Sequence, residues 1–457
     1  MTINIPDDGS PRSEALVAAI EARIRDGDLA PGERLPSQRA LAHRLGLALG
    51  TVTRAYAEAE RRGLVVGEVG RGTFVRGAEA APSVVPGPRS ASDVDLGNNV
   101  SLALPDVAAP FHAAGVERLV RSGELSAAIE RPDEDAGLDV ARRWLARVGI
   151  ERDAARVAVA PGFHPALIAV LSALCRPGDT VLCESLAYSG LPACARGAGV
   201  HLVGVEVDDR GVVPEDVDRR AERHGARVLI AQPTHHSPTT ATMDDARRRA
   251  LLEVAARRGL TVVEFDEDLA LADDVTPLAN LAPETVVTVA DVGRALGLGL
   301  RVCAVAAPDA VRRDAIAHAL ADVAWMTSPL PVAVTGALLD DGADALIAAR
   351  REALAGRQRR IARLDGVGGA RLVHRPTSHH AWLDLTSTAW SRSEAFVAAA
   401  AERHVIVSDA HVFHVGPRTA PSAIRLALGT ATDTELDQAI DVLAELLARP
   451  SAPPTRL

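Results

Sequence analysis

The sequence predicts an α/β protein, in which a small N-terminal winged helix-turn-helix is linked to a large domain with a mostly parallel sheet and to a smaller C-terminal α+β lobe. Three observations predict this class. The 457 residues exceed what one ordinary core accommodates. Residues 12–76 contain three short helical patterns that end in a hairpin. From residue 156 onward, short apolar runs alternate with helical segments, which is typical of a parallel sheet.

The N-terminal helices are indicated by apolar spacing and by their ends. Residues 12–27 carry apolar side chains at helical intervals. The stretch "SQRALAHRLG" is a short helix that Ser37 is placed to cap and Gly46 to end. A second helix, "LGTVTRAYAEAERRG", ends at Gly63, and "LVVGEVGRGTFV" alternates and turns like a two-stranded wing. This order predicts a winged helix-turn-helix.

A linker and two further regions follow. The segment "GAEAAPSVVPGPRSAS" is rich in Pro, Ala, Gly and Ser and lacks periodicity, which predicts a linker. Beyond about residue 330, a long helix near 340–363 precedes two strand-like runs. The predicted boundaries are 10–78 for the DNA-binding domain, 79–94 for the linker, 95–330 for the large domain and 331–450 for the small lobe.

The strands of the large domain are predicted from apolar runs bounded by turn residues. They are "RVAVAPG" (156–162), "TVLCES" (180–185), "HLVGVEV" (201–207), "RVLIAQP" (227–233), "LTVVEFDE" (260–267), "VVTVAD" (286–291) and "LRVCAVAAP" (300–308).

Charge and composition narrow the function classes. The net charge is −10, yet residues 34–76 hold eight arginines against three glutamates, a local net charge of +5. A basic module on an acidic chain indicates local contact with nucleic acid, although a solvated helix face has the same composition. The sequence has no apolar run of membrane-spanning length and no secretory leader, so we expect a cytoplasmic protein. The four scattered cysteines and the histidine pairs match no metal pattern, so we expect no metal site.

The second helix of a helix-turn-helix enters the major groove of DNA, where its first turns meet base edges. Arginines and the wing backbone meet phosphates and position the module. The residues expected at DNA are Arg34, Ser37, Arg39, Leu49, Gly50, Thr51, Thr53, Arg54, Arg71, Gly72 and Thr73.

The motifs "LPSQRALA", "GTVTRAY" and "GRGTFV" resemble the GntR family of bacterial regulators. Residues 95–450 resemble a fold-type I aminotransferase domain, through "PGFHPAL", "GDTVLCESLAYSG", "QPTHHSPTT", "VVEFDED", "VADVGRALGLGLR" and "SAIRLALG". The whole chain therefore resembles the MocR subfamily of GntR regulators. The resemblance implies binding to operator DNA, a homodimer with the DNA-binding modules exchanged between the chains, and a domain that senses effectors, usually through pyridoxal phosphate (PLP).

The resemblance also places a PLP pocket, which consists of Gly162, Tyr188, His236, Asp266, Arg294, Arg301 and Arg425. Tyr188 is expected to stack on the cofactor, Arg301 to bind its phosphate and Arg425 to bind a substrate carboxylate. Two assignments of Asp266 stay open: it faces the ring nitrogen, or the acidic pair is one residue out of register and on the other face of its strand. Arg301 and Arg425 could alternatively pair with acidic neighbours, and Tyr188 could be an ordinary core residue.

The expected lysine of that pocket is missing. Its position holds Arg294, and the chain contains no lysine at all. A lysine amine forms the imine with PLP, whereas a guanidinium stays protonated and has no available lone pair. Asp291 and Gly293 also replace phosphate-binding hydroxyls. A carboxylate about 4 Å from a phosphate would cost on the order of 4 kcal/mol at an effective dielectric near 20.

The sequence therefore predicts a transcription regulator that is not an enzyme. The catalytically dead aminotransferase-like domain would dimerise and could sense a small anionic or carboxylate effector, and no cofactor is expected. The alternatives are a PLP-dependent aminotransferase, a regulator that binds PLP non-covalently, and a constitutive DNA-binding protein with a purely dimerising domain.

Overall fold

The computed structural model describes residues 12–25, 29, 33–61, 64–68, 72–75, 90, 92–123, 135–390, 392–416 and 420–448. The chain divides into two compact units. The first comprises residues 1–82 with the short segment 416–420, and the second comprises residues 83–415 and 421–457.

The first unit is a three-helix fold with a β-hairpin. Its elements are α1 (Arg12–Arg25), α2 (Gln38–Leu45), α3 (Leu49–Arg61), β1 (Val65–Glu68) and β2 (Gly72–Val75). The strands pair antiparallel, and the segment before α2 adds to the hairpin because the amide of Leu35 donates to the carbonyl of Thr73 at 2.8 Å. Buried Leu16, Leu41 and Val52 join α1, α2 and α3 in one small core.

The connection between α2 and α3 is set by local chemistry. Ser37 caps α2, because its hydroxyl oxygen accepts from the amide of Ala40 at 3.3 Å. Gly46 ends α2 with a left-handed φ of 62°, a conformation that glycine adopts without a side-chain clash. Both sequence predictions for this helix are confirmed, and α3 begins three residues later.

The second unit contains thirteen helices and fourteen strands among the described residues. The helices are α4 (Pro105–Ser122), α5 (Asp135–Arg147), α6 (Phe163–Leu174), α7 (Leu191–Ala198), α8 (Pro214–His224), α9 (Asp245–Arg258), α10 (Leu278–Leu281), α11 (Gly293–Leu296), α12 (Ala310–Ala324), α13 (Pro329–Ala337), α14 (Ala343–Ile361), α15 (Ser393–Glu402) and α16 (Asp433–Ala448). The strands are β3 (Val94–Leu96), β4 (Val157–Ala160), β5 (Thr180–Glu184), β6 (His201–Val205), β7 (Val207–Asp208), β8 (Gly211–Val212), β9 (Val228–Ala231), β10 (Thr261–Asp266), β11 (Val286–Asp291), β12 (Cys303–Ala306), β13 (Arg371–Val373), β14 (His380–Asp384), β15 (Val405–Asp409) and β16 (Ala423–Ala427).

A seven-stranded sheet forms the centre of this unit, in the order β4-β12-β11-β10-β9-β5-β6. The strands from β11 to β6 are parallel, whereas β12 is antiparallel to both of its neighbours. Apolar cores cover both faces: Val262 belongs to one core and the next residue, Val263, to the other. Because both faces are buried, these strands are almost continuously apolar, as the sequence predicted.

The small lobe is a five-stranded sheet in the order β13-β14-β16-β15-β3. Strand β3, which comes early in the chain, pairs parallel with β15 at the edge of this sheet. Along the chain, between the last strand of the seven-stranded sheet and β13, one π-helical turn, Leu338–Gly342, joins α13 to α14. The predicted alternation of strands and helices and the long helix near 340–363 are confirmed. No helix among the described residues is long and apolar enough to cross a bilayer.

Candidate functional site

The first residues of α3, 49–54, lie largely at the surface of the first unit and are called the head. Leu49, Gly50 and Arg54 are exposed and Thr51 is half-buried. The apolar side chain of Leu49 is 44% exposed. A helix terminus that presents apolar, hydroxyl and guanidinium groups together is suited to thymine methyls, base edges and phosphates.

Two hydrogen bonds fix this head against α2. The hydroxyl of Thr53 donates to Gln38 at 2.8 Å, and the hydroxyl of Tyr56 donates to the carbonyl of Pro36 at 2.8 Å. Burial raises the pKa of Tyr56 to about 12, so its phenol stays protonated as a donor. Sequence reasoning missed Gln38 and Tyr56, since nothing in the helical pattern reveals a partner in the preceding turn. Thr53 therefore positions α3 through its hydroxyl, and its methyl group stays at the surface.

Unpaired arginines surround the head. Arg34, Arg39 and Arg54 are exposed, and none has a carboxylate partner among the described residues. Arg34 packs beside Gly72, whose φ of 123° and close approach leave no room for a Cβ atom, which would lie 2.7 Å from the Nε atom. Thr73 lies in the wing opposite Gly67. Arg71 lies outside the described residues, so its predicted contact stays a prediction.

A second candidate site lies at the carboxyl ends of the parallel strands in the second unit. Tyr188 follows β5, His236 follows β9, Glu267 follows β10 and Arg294 follows β11. Ligands of open parallel sheets bind at this edge, because the loops that follow neighbouring strands converge there. Of the seven predicted pocket residues, Tyr188 is half-buried, Arg301 is exposed, and the other five are buried: Gly162, His236, Asp266, Arg294 and Arg425.

Arg294 is held inside this site by the protein's own atoms. Its guanidinium donates to the backbone carbonyl of Asn99 and lies 3.5 Å from the carboxylate of Glu267. Burial alone would lower the pKa of Arg294, but Glu267 and Asp268 raise it above its usual value. The side chain at the lysine position is therefore a permanent buried cation with both of its contacts inside the chain.

The loop after β11 carries a second departure. The Asp291 carboxylate accepts the amide of Gly293 at 2.6 Å, so this backbone donor is already occupied by an acceptor of the chain. Burial, and next the charge of Glu267, raises the pKa of Asp291 to about 7. A cofactor phosphate at this loop would meet a titratable carboxyl group in place of a hydroxyl.

Tyr188 belongs to an aromatic cluster. Its ring meets Phe163 edge-on at 5.5 Å, and Phe163 packs against Phe265 at 5.3 Å. The Tyr188 hydroxyl is 2.8 Å from Nε2 of His164, and burial raises the pKa of Tyr188 well above its usual value. Gly190 permits this position, because a Cβ atom there would lie 2.4 Å from the tyrosine ring. The cluster gives the site an apolar wall.

The structure separates Asp266 from that wall. Phe265 shares its core with Phe163 and with the neighbouring Tyr188, and successive residues of a strand point to opposite faces. Asp266 therefore lies on the other face of β10, where its carboxylate accepts the amide of Asp268 at 3.0 Å. Of the two open assignments, this geometry matches the one in which the acidic pair is out of register. Phe265 and Glu267 are on the side of Tyr188 and Arg294.

Arg425, on β16, is a buried cation without a buried counter-ion. It donates to the carbonyl of Gly97 at 2.7 Å, has weaker contacts with the hydroxyls of Ser237 (3.4 Å) and Ser408 (3.5 Å), and stacks over Phe413 at 4.5 Å. Its Nε atom has no partner, and no carboxylate of the described chain lies within ion-pair distance. Burial, and next the charge of Arg294, lowers the pKa of Arg425 to about 9.

Gly162 and Arg301 meet at the start of α6. Gly162 has a φ of 102°, which favours glycine, and a Cβ atom there would lie 3.1 Å from Nε of Arg301. Arg301 is exposed and has no ion-pair partner among the described residues. Its charge lowers the pKa of His164, after the larger effect of burial. Arg301, the arginine predicted to bind the cofactor phosphate, thus lies beside the N-terminus of α6 and is exposed, whereas Arg294 is buried.

Buried histidines complete the site. Nδ1 of His236 is 2.7 Å from the hydroxyl of Thr239, and its Nε2 has no partner. Burial lowers the pKa of both His236 and His379 to about 4, so both rings are neutral near pH 7. His379 and His235 lie 3.3 and 3.8 Å from Asp268. Sequence reasoning noted these histidine pairs but gave no signal that Asp268 would connect them.

The residues present do not fit PLP as the fold family holds it. The lysine position holds Arg294, the side of β10 that carries the aromatic wall presents Phe265, and the loop after β11 presents Asp291. The guanidinium of Arg294 cannot form an imine, the phenyl ring of Phe265 cannot pair with a pyridine nitrogen, and an ionised Asp291 carboxylate cannot donate to a phosphate as an alcohol does.

Comparison with known families divides the chain in the same two parts. Residues 136–443 match the family model for aminotransferases of class I and II. Residues 12–75 match the model for bacterial regulatory proteins of the gntR family.

Two relatives align along nearly the whole chain. One is the uncharacterized HTH-type transcriptional regulator YdeF of Bacillus subtilis, 28% identical over 96% of this chain and 94% of the relative. The other is the vitamin B6 salvage pathway transcriptional repressor PtsJ of Salmonella typhimurium, 29% identical over 94% of this chain and 97% of the relative. The resemblance to regulators of this architecture is confirmed.

Solved structures with this fold are aminotransferases. Kynurenine aminotransferase of Pyrococcus horikoshii superposes with a TM-score of 0.70 at 18% identity, over 78% of this chain and 91% of the enzyme. At that identity the likeness shows the fold alone.

Proposed function

The chain belongs to the aminotransferase class I and II family, and from that premise we propose a DNA-binding transcription regulator whose aminotransferase-like domain does not catalyse. The proposal rests on the presence of two different sites in one chain, one in each unit. Arg34, Arg39 and Arg54 are exposed in the first unit and have no carboxylate partner among the described residues. In the other unit, the position expected to hold the lysine holds Arg294, which is bound to the carbonyl of Asn99 and lies beside Glu267.

The absence of catalysis follows from the chemistry of Arg294. Transamination with PLP needs an amine that attacks the aldehyde, and a guanidinium that stays protonated above pH 12 cannot supply it. Since the chain has no lysine, no other side chain replaces it. The departures at Phe265 and Asp291 support the absence of PLP as a cofactor in either a covalent or a non-covalent form.

Arg425 supports a ligand of opposite charge. A fully buried cation without a counter-ion is costly, because backbone and hydroxyl dipoles replace its hydration only in part. A planar carboxylate pairs with guanidinium through two parallel hydrogen bonds, and Nε of Arg425 is without a partner. The proposed effector is therefore a small carboxylate.

A homodimer is supported by exposed apolar side chains on neighbouring elements. Trp325 is 73% exposed and Val120 on α4 is 62% exposed, and Val116 and Leu330 are also exposed. Helix α4, which carries Val116 and Val120, packs against α13, which carries Leu330, and Trp325 lies four residues before α13 begins. Exposed apolar clusters of this kind mark interfaces, and a second copy of the chain is the proposed occupant.

The proposed regulator acts in the cytoplasm on an operator with two half-sites. An effector that binds one arrangement of the dimer more tightly shifts the population toward it. This shift would change the distance between the two α3 helices of the dimer, and so the spacing between half-sites that they fit.

DNA binding is tested by fluorescence anisotropy on promoter fragments selected by genomic footprinting. The variant R39A/R54A removes two phosphate or base contacts, so its affinity should fall by about 10-fold or more, and the salt dependence should become shallower by about two counterions. The control R249A removes an arginine that is also exposed, on α9 of the other unit. Unchanged affinity of R39A/R54A at moderate salt would overturn the assigned surface.

A further inference from the structure

We infer that the segment Gly97–Leu102, called the strap, couples a ligand at Arg425 to the DNA-binding unit by competing with that ligand for the same arginine. The inference rests on the proposed function and specifies how its carboxylate site is regulated. The strap directly follows β3, and the preceding residues lead back along the chain to the helix-turn-helix.

Three buried arginines hold the strap by its backbone carbonyls. Arg425 donates to Gly97 at 2.7 Å, Arg294 donates to Asn99, and Arg350 donates to Leu102 at 3.0 Å. Each arginine comes from a different element of the unit: β16, α11 and α14. A six-residue segment in which three carbonyls accept from buried guanidinium groups is held mainly by charge-assisted bonds.

Ser408 and Asp95 add further contacts to the strap. The hydroxyl of Ser408 donates to the carbonyl of Gly97 at 2.9 Å. The carboxylate of Asp95 accepts the amides of Gly97 and Asn98 at 2.8 and 3.0 Å, which forms a local turn. Gly429 lets the strap approach closely, because a Cβ atom there would lie 1.9 Å from the carbonyl oxygen of Val100.

The strap and a carboxylate ligand compete for one donor group. A backbone carbonyl is a neutral acceptor, and an ionised carboxylate forms hydrogen bonds to guanidinium that are roughly twice as strong. A carboxylate that binds Nε and Nη2 of Arg425 takes the nitrogen that donates to Gly97, and leaves the Gly97 carbonyl with Ser408 alone. The strap end nearest the linker then loses its strongest contact.

The direction of the chain makes this end the relevant one. Gly97 is the first strap residue after β3, which pairs at the sheet edge with β15 through three residues, Val94, Asp95 and Leu96. A loosened Gly97 therefore weakens the anchor of the segment that reaches the DNA-binding unit. The ligand needs no contact with that unit, since the covalent connection carries the effect.

Hydrogen exchange of the full-length protein, with and without operator DNA, tests this coupling. D95A removes the carboxylate that accepts the amides of Gly97 and Asn98, and it leaves every arginine in place. R425K keeps the positive charge but replaces the planar guanidinium with an ammonium group. We expect the amides of residues 95–102 to exchange about ten-fold faster in both variants, with α16 unchanged. We also expect the DNA dissociation constant of both to change by about five-fold, and that of the exposed control R249K to stay the same.

Two results would overturn the coupling: strap exchange in D95A and R425K equal to that of the wild-type protein, or faster strap exchange in D95A with unchanged DNA affinity. If R425K loosens the whole unit, including α16, D95A decides alone. A wild-type protein that binds no promoter fragment would overturn the proposed function itself. Wild-type DNA binding that does not change in D95A would overturn only the coupling through the strap.

Discussion

At the residue scale, the proposed absence of catalysis depends first on one side chain, Arg294. The sequence alone predicted that Arg294 cannot form an imine, because that conclusion needs only the identity of the residue. The sequence could not predict where the guanidinium goes. Its carbonyl partner, Asn99, is 195 positions away along the chain, and no local pattern connects the two.

The same limit applies to Asp266 and Arg425. A strand fixes which residues share a face but not which face meets the pocket, so only the folded sheet places Phe265 beside Tyr188. The expected carboxylate arginine, Arg425, was assigned by resemblance, and its contact with the Gly97 carbonyl had no signal in the sequence.

The variant D291N tests the buried carboxyl group after β11. Burial raises the native pKa of Asp291 to about 7, above the unfolded value near 4. The native state therefore holds a proton that the unfolded chain releases between about pH 4 and 7, and Asp291 costs stability increasingly as pH rises through that window. D291N keeps an oxygen that can accept from Gly293. The difference in melting temperature between D291N and the wild type, in favour of D291N, should therefore grow with pH up to about pH 7 and stay constant above it.

Thermal unfolding of both proteins at a series of pH values measures this difference. D322N, which neutralises an exposed carboxylate on α12, serves as a control for the loss of a carboxyl group away from this loop. A difference between D291N and wild type that stays constant with pH would contradict the assigned pKa.

At the scale of elements, helix ends and apolar runs were predictable and partners were not. Ser37 and Gly46 delimit α2 as expected, because capping is local chemistry. The seven strands of the large domain lie within their predicted runs. The antiparallel direction of β12 and the pairing of β3 with β15 were not predicted, since both depend on contacts between distant parts of the chain.

The cap of α2 gives a prediction for the helix-turn-helix. S37A removes the oxygen that accepts the amide of Ala40, which should destabilise α2 by about 1 kcal/mol. S37N keeps an acceptor at the cap and should stay near the wild-type stability. Hydrogen exchange of the α2 amides measures the effect, and equal exchange in S37A and S37N would show that the cap contributes nothing.

At the scale of the whole molecule, two units of different chemistry share one chain. The first presents unpaired arginines to solvent, and the second buries Arg294, Arg350 and Arg425 against carbonyls and carboxyl groups. The sequence predicted this division from the local charge of residues 34–76 and from the linker composition. The sequence supports a homodimer only through the resemblance, because exposed apolar side chains cannot be recognised before the fold is known.

The double variant V120E/W325E tests the proposed dimer surface. Two carboxylates in place of exposed apolar side chains should weaken dimerisation by about 100-fold or more and convert the protein to monomers at micromolar concentration. Sedimentation velocity measures the change. V311E alters another exposed apolar residue, on α12, and should leave the oligomeric state intact. A V120E/W325E protein that still sediments as a wild-type dimer would place the interface elsewhere.

The most direct measurement of the central claim is the reaction of the purified protein with PLP and an amino donor, followed by borohydride reduction and peptide mapping. The buried Arg294 and the absence of lysine predict no pyridoxyl adduct on any side chain and no keto acid product. A reduced adduct within residues 286–301, or keto acid formed in proportion to protein, would contradict a domain that binds and regulates without reacting.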